Sequence, residues 1–277
     1  MHQEIILITS IVTILLLHFI TLISGIRYYK QILTSLQSQV ESETKMFSEH
    51  SIRNLPTIVQ KYFLKTVPDQ KKYISSAMVY QRGEFRSREE HRWSRLRAKQ
   101  YFTTKEPGFV WKALLSNSMI VRKTAILSYF QRKGQGQIRF WGSVVLNEPK
   151  GNETSISMLV RYLTESIWFP TALLPSKTIQ WVEVSELTAK VIIRDGRNLA
   201  SALVTFNNEG DIVQFETDDK FRDFKAVYSN ERFTLRCSNY KSIDQIRVPT
   251  TVEFLWNLES GDFPYAVITV DDIVYTF

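Results

Sequence analysis

Cysteine is almost absent from this chain of 277 residues, which contains only Cys237. A single cysteine excludes a disulfide framework and a zinc site built from cysteine ligands. There are four histidines, and only His91 lies where the sequence has the pattern of a folded domain. There is no Gly-x-Ser-x-Gly motif for a serine nucleophile and no phosphate-binding loop before a helix. The sequence therefore predicts no metal or other cofactor, and it does not indicate a reaction.

Charge is absent from the 22 residues between Ile5 and Ile26. As a helix this run would be about 33 Å long, enough to cross the apolar core of a bilayer. It has neither the basic start nor the small-residue cleavage site of a signal peptide, which favours a retained anchor. Arg27 and Lys30 follow it, and by the positive-inside rule they place the remaining chain in the cytoplasm. We therefore expect a single-pass membrane protein with a cytoplasmic soluble part.

Acidic residues are scarce in the half that follows this run. Between Arg27 and Lys133 there are 21 Lys and Arg but only 8 Asp and Glu. Such a surface suits the anionic headgroups of membrane lipids. Without a nucleic-acid motif we do not expect nucleic acid as a partner, and the sequence identifies no protein partner. The candidate residues for an anionic surface are Arg86, Arg88, Arg95, Arg97 and Lys99. A solvated sheet face balanced by nearby glutamates is the simpler interpretation.

The order of patterns divides the chain into three parts. Residues 1–30 are the expected membrane anchor, residues 31–70 a juxtamembrane helical segment, and residues 71–277 a β-rich domain. From Lys72 onward apolar residues alternate with polar ones, which is typical of strands. Strands that follow one another without helices between them indicate an antiparallel meander. Phe221–Tyr228 is among the predicted strands, and Gly134 and Gly136 are predicted to form a hairpin turn.

One helical run, from Arg161 to Phe169, interrupts the strands. The fold class is therefore mainly β (α+β), in which a curved antiparallel sheet or half-barrel wraps a central helix. Glu165 is the best candidate for an acid or base, since apolar residues surround it in the sequence and burial raises the pKa of a carboxyl group. Arg161 lies four residues earlier and would form an ion pair with it. A helix-stabilising pair is the simpler interpretation of these two residues.

Two motifs of the sequence are especially specific, Pro-Gly-Phe-x-Trp and Glu-x-x-Trp-x-Pro-Thr-Ala-Leu-Leu-Pro. Together with several further blocks they resemble bacterial families of unknown function, DUF6544 and DUF6920. This resemblance implies an architecture but no activity. The blocks are Leu55–Tyr62, Gly83–Trp93, Pro107–Ala113, Arg161–Pro175 and Val248–Tyr275.

The last of these blocks is also similar to the end of lipoprotein-carrier half-barrels. That broader resemblance implies a curved sheet around a helix, with a concave face that holds acyl chains. Aromatic residues would then line this face, although filling a closed core is the simpler role for each of them. The candidate ligand-binding residues are Trp93, Phe109, Trp111, Tyr162, Trp168 and Trp181.

Three functions remain open. The first is a membrane-anchored module that binds a lipid or another apolar ligand, with membrane lipids as its partners. The second is a membrane-associated enzyme that uses Glu165 and Arg161. The third is a membrane-tethered scaffold or interaction protein with a closed core. The sequence favours a non-enzymatic protein, and a deep apolar cavity between helix and sheet would distinguish the first function from the third.

Overall fold

The chain is mainly β, as its sequence pattern predicts. A computed structural model describes residues 2–118, 121–224 and 227–277, and these contain three α-helices and fifteen strands. The helices are α1 (His2–Gln37), α2 (Thr57–Thr66) and α3 (Asn152–Glu165). Helix α1 is the one described helix that is long and apolar enough to cross a membrane, and it continues past Lys30 without a break.

Thirteen of the strands form one antiparallel sheet, and two more form a separate hairpin. The first six strands are a simple meander: β1 (Ser76–Phe85), β2 (Ser94–Thr103), β3 (Gly108–Ser116), β4 (Arg122–Phe130), β5 (Lys133–Phe140) and β6 (Val144–Asn147). A second meander follows α3: β7 (Ile179–Ser185), β8 (Thr188–Asp195), β9 (Asn198–Phe206) and β10 (Ile212–Thr217). The long C-terminal strands are β13 (Arg232–Ile243), β14 (Ile246–Leu258) and β15 (Gly261–Thr276).

The C-terminal strands join the two meanders. Strand β15 pairs with β1, and β13 pairs with β10, so that β6 and β7 lie at the two ends of the sheet. These two end strands do not pair in the described part of the chain, and the curved sheet is therefore open. The small hairpin consists of β11 (Phe221–Phe224) and β12 (Val227–Asn230). It replaces the single strand predicted for Phe221–Tyr228, of which residues 225–226 lie outside the described residues.

Alternation along the strands separates two faces of the sheet. In β9 the buried residues Ala200, Ala202, Val204 and Phe206 alternate with half-buried ones, as expected for a strand with one face against a core. The main core lies on the concave side, where α3 packs into the sheet. A second, smaller apolar cluster lies on the convex side.

The C-terminal part of α1 crosses the convex face. Its Tyr29, Ile32 and Leu36 pack against Val110 and Ile126 of the sheet. This contact fixes the direction in which the apolar part of α1 leaves the domain. Helix α1 is therefore part of the folded domain at one end and a candidate membrane span at the other.

The central helix is present, but the predicted bounds overlap it only over residues 161–165. It begins at Asn152 rather than Arg161, and it ends at Glu165 before two short 3-10 turns, Ser166–Trp168 and Pro170–Leu173. The missed half is rich in small polar side chains, which give no apolar periodicity. Small side chains let this part of α3 pack closely against β5, where the amide of Gly134 donates to the hydroxyl of Ser155 over 3.0 Å.

The glycines of β5 explain a second error. Gly134 and Gly136 lie inside the strand, whereas the turn before it uses Gln131 and Arg132 at positive φ. A Cβ atom at Gly134 would lie 2.5 Å from the carbonyl oxygen of Thr154 in α3. Glycine is needed here for close packing of strand and helix rather than for a turn.

Candidate functional site

An apolar cleft of about 330 Å³ opens between α3 and the concave face of the sheet. Its volume lies in the range of small-ligand sites, roughly 300–1,000 Å³. Met158 and Arg161 of α3 form one wall, because positions three apart on a helix point to the same side. The opposite walls come from the first meander, from the C-terminal strands β14 and β15, and from the start of β11. The apolar lining includes Leu96, Leu127, Ile138, Trp256, Tyr265 and Ile268.

The cleft continues into a second hollow of about 380 Å³ that leads to the surface. The two spaces share Leu127, Met158 and Tyr265 among their linings. Asn147, the last residue of the edge strand β6, and Pro149, two residues after it, form one side of the outer hollow. The mouth of the cleft is therefore at the β5–β6 end of the sheet.

The β11–β12 hairpin covers this mouth and is held to α3 by hydrogen bonds. The Ser157 hydroxyl accepts from the amide of Phe221 over 2.9 Å, and the hydroxyls of Thr154 and Tyr228 are 3.0 Å apart. On the other side, the amide of Asn147 donates to Asp223 over 3.0 Å. The hairpin thus bridges the helix and the edge strand above the cleft.

Glu165 lies below the cleft and is completely buried. Its carboxylate accepts from Arg161 Nε over 2.9 Å and from Gln100 Nε2 over 2.7 Å. Gln81 donates in turn to Gln100, and Trp111 Nε1 donates to Gln81 over 2.9 Å. Every member of this chain of hydrogen bonds has a partner, as buried polar groups require. The geometry is that of a structural link between helix and sheet, and Glu165 does not line the cleft.

Arg161 connects this network to the cleft. Its guanidinium lies over the Trp111 ring at 4.4 Å and near the Phe109 ring at 5.5 Å. The residue is 9% exposed, and only its Nε has a hydrogen-bond partner among the described residues. Its two terminal nitrogens therefore have free donors in the wall of the cleft.

Lys220 is a second buried cation in the same cleft, just before β11. It is 7% exposed, and its ammonium makes neither a hydrogen bond nor an ion pair with any described residue. The ammonium lies over the Phe233 ring at 3.6 Å and near the Trp256 ring at 5.6 Å. Burial, reinforced by Arg161 and opposed by Glu165, lowers the pKa of Lys220 to about 7.

The predicted ligand-binding aromatics occupy several environments. Trp111 lines the cleft. Phe109, Tyr162 and Trp168 lie in the packed core, where Trp168 Nε1 donates to the Pro249 carbonyl over 3.1 Å. Trp181 donates to the carbonyl of a 3-10 turn, and Trp93 stacks on Arg86, 4.7 Å from the guanidinium. A ligand-binding role for all six residues stays a prediction.

The basic candidates lie mainly on the outside of the sheet. Arg95, Arg97 and Lys99 are exposed along β2, on the face opposite Leu96. Lys99 is next to Lys112 across the β2–β3 pair, and burial together with Lys99 lowers the pKa of Lys112. The two others belong to the connection after β1: Arg86 donates to the Pro264 carbonyl, and Arg88 is near Glu90.

Helix α1 and the edge of the sheet meet near the cleft mouth. Arg139 of β5 donates to the Thr21 carbonyl of α1 over 3.0 Å, and Leu22 packs next to Gly142 in the β5–β6 turn. Beside this junction is an exposed apolar edge, which comprises Trp141, Val144, Val145 and Leu146. The described residues contain no group of three or more His, Cys, Asp or Glu placed to hold a metal ion.

Comparison of the sequence with models of protein families identifies one family. The model of the family of unknown function DUF6544 matches residues 45–268. No curated protein is similar enough in sequence to count as a relative.

Three solved structures of low sequence identity are similar to this chain. An outer membrane lipoprotein-sorting protein domain from Vibrio parahaemolyticus has 10% identity and a TM-score of 0.40, over 73% of this chain and 85% of that one. A DUF1329 family protein from Desulfovibrio piger has 11% identity and a TM-score of 0.44, over 73% and 86%. A LolA superfamily protein from Nitrosomonas europaea has 10% identity and a TM-score of 0.38, over 78% and 91%. Similarity at this level does not indicate what the chain binds.

Proposed function

We propose a function from the site itself, because the chain belongs to DUF6544, a family of unknown function. The protein is a membrane-anchored, non-enzymatic module that binds the apolar chain of a lipid in the cleft under α3. The open apolar cleft is the observation that carries this proposal. A scaffold with a closed core would not need it, and Glu165, the candidate acid or base, is outside it.

The position of α1 supports the membrane as the source of the ligand. Its apolar residues lead away from the β5–β6 end of the sheet, where Thr21 and Leu22 contact Arg139 and Gly142. A bilayer around the apolar run would therefore meet this end of the domain first. The cleft mouth, with Asn147 and Pro149, is at the same end. A lipid chain would have a short path from the bilayer into the cleft.

The exposed apolar edge supports the same orientation. Val144 is 57% exposed and Leu146 is 51% exposed, in an edge strand next to the anchor. Exposed apolar groups that are contiguous mark interaction surfaces in soluble domains. With the anchor beside it, this edge would enter the interface of the bilayer, and Trp141 is a residue type that favours that depth.

Photocrosslinking of the full chain in nanodiscs tests this function. A long-chain lipid probe that carries a diazirine near its tail should label residues of the cleft, such as Leu127 or Met158, identified by mass spectrometry. Leu127→Trp fills the cleft and should abolish that labelling. Val184→Trp, on the exposed far edge strand β7, is the matched control and should leave it unchanged. Equal labelling of wild type and Leu127→Trp would contradict the proposal.

A further inference from the structure

Two buried cations line the cleft, and the described residues offer neither a counterion to Lys220 nor an acceptor to the terminal nitrogens of Arg161. Arg161 and Lys220 are each more than nine-tenths buried, and both line the same apolar space. Among the described residues, Glu165 is the carboxylate that pairs with Arg161, through its Nε. With Lys220 protonated, the site has a net charge of +1. Buried charges without counterions are costly, and folded proteins rarely retain them without a use.

Charged groups near the mouth do not supply the missing counterion. Arg222 and Asp223 line the outer hollow, and Asp223 is engaged by Asn147. Tyr265, which faces the pair from β15, is neutral because burial raises its pKa. The other groups close to Lys220 are the rings of Phe233 and Trp256. The free donors of Arg161 and the ammonium of Lys220 therefore face a space that suits one anion.

We infer that Arg161 and Lys220 form the head-group site of this cleft and bind a single oxyanion at the end of an apolar chain. One negative charge would neutralise Arg161, Lys220 and Glu165 taken together, which favours a monoanionic head. Lys123 also lines the cleft, but it is exposed to solvent. This inference rests on the proposed lipid-binding function and adds the chemical class of the ligand. A free long-chain carboxylate and a single-chain phosphodiester both have this chemistry, and competition distinguishes them.

The two cations would contact the head group in different ways. The terminal nitrogens of Arg161 form a planar fork that fits two oxygens of a carboxylate or phosphate. Its Nε is already held by Glu165, so the fork is fixed in direction before a ligand arrives. Lys220 adds a point charge from the side of the hairpin. The apolar tail then extends along Leu127 and Met158 toward the mouth.

The test compares two photoreactive probes of equal chain length on the full protein in zwitterionic nanodiscs. One probe is a fatty acid and the other is the corresponding fatty alcohol. A charge-assisted contact contributes about 1.5–3 kcal/mol, so the acid should bind roughly tenfold to hundredfold more tightly. Unlabelled fatty acid and lysophosphatidylglycerol are then added as competitors, and the stronger of the two identifies the source of the anion.

Lys220→Met removes the charge and keeps an apolar side chain of similar length. It should reduce the preference for the acid severalfold, with Arg161 accounting for what remains, and leave alcohol labelling unchanged. Lys190→Met, at an exposed position of β8, is the matched control and should keep the acid preference. Equal labelling by acid and alcohol in the wild type would contradict the head-group site but not the binding of an apolar chain in the cleft. Failure of both probes to label the cleft would overturn the lipid-binding function itself.

Discussion

Gln100 of β2 donates a 2.7 Å hydrogen bond to Glu165 of α3, at the point where helix and sheet are in closest polar contact. The carboxylate is inaccessible to solvent, and its other oxygen accepts from Arg161. The pair that looked in the sequence like a candidate for catalysis is thus built into the support of the cleft. Loss of this pair should therefore lower the free energy of unfolding.

Glu165→Gln tests this structural role. The change leaves Arg161 buried without a counterion, and breaking a buried pair in this way costs about 3–5 kcal/mol. We expect a corresponding fall in the free energy of unfolding, measured by chemical denaturation of the full chain in detergent.

The double variant Glu165→Gln with Arg161→Met is the control. Removing both charges should restore most of the lost stability, because no uncompensated charge remains. If Glu165→Gln alone were as stable as the wild type, the ion pair would not support the fold.

Lys220 should show the opposite behaviour, because its charge is buried with no counterion among the described residues. Lys220→Met should raise the free energy of unfolding of the ligand-free protein, by an amount on the order of 1–4 kcal/mol at pH 6. A residue with a purely structural role would lower stability when replaced. The measurement is thermal unfolding of Lys220→Met, compared with that of the exposed control Lys190→Met.

The low pKa of Lys220 also predicts a pH dependence. Its pKa is about 7 in the folded protein and higher in the unfolded chain, so the unfolded state binds more protons above pH 7. The stability of the wild type should therefore rise with pH between about 7 and 10, relative to Lys220→Met. The slope is at most about 1.4 kcal/mol per pH unit. A constant difference between the two proteins over this range would contradict a buried, partnerless lysine.

The orientation at the membrane is tested by single cysteines on the two end strands of the sheet. Val144 in β6 is 57% exposed and Val184 in β7 is 55% exposed, which makes them a matched pair. A polarity-sensitive dye on Val144→Cys should shift to shorter wavelength in liposomes and be quenched by lipids brominated in their chains. The same dye on Val184→Cys should not respond. Cys237 is buried, and unmodified protein controls for its labelling.

The joint between the two halves of the sheet depends on Gly83 of β1. A Cβ atom there would overlap the carbonyl oxygen of Val267 in β15. Gly83→Ala should therefore lower the free energy of unfolding by about 1–3 kcal/mol. Arg82→Ala, next to it, loses an exposed ion pair with Asp271 and should change stability by about 1 kcal/mol or less. Equal effects of the two changes would contradict this packing.

Much of the fold follows from local patterns in the sequence. The uncharged run predicts α1, and alternation predicts most strands of both meanders, since each has one face on the core. The start of α3 was missed because its first half packs through small polar side chains. The sequence did contain a signal for Gln81 and Gln100, because each is a polar residue at an inward position of its strand. Gln81 is on the same face of β1 as Val79, and Gln100 is on the same face of β2 as Leu96.

The head-group site could not be predicted from the sequence. Lys220 follows Asp218 and Asp219 in a stretch that looks like a polar turn, and nothing local indicates that it is buried. Its environment comes from β13, β14 and α3, which are distant in the chain. The cleft itself depends on the distance between α3 and the sheet, and the residue pattern of a single helix or strand does not determine that distance.

Native mass spectrometry of the full protein, purified without added lipid, tests the lipid-binding cleft most directly. Wild type released from detergent should retain an additional mass, which fragmentation identifies as a single-chain amphiphile with an anionic head. Leu127→Trp should lose this mass, and Val184→Trp should keep it. If wild type carries no ligand, or if Leu127→Trp retains the same ligand in equal amount, the cleft is not a lipid-binding site.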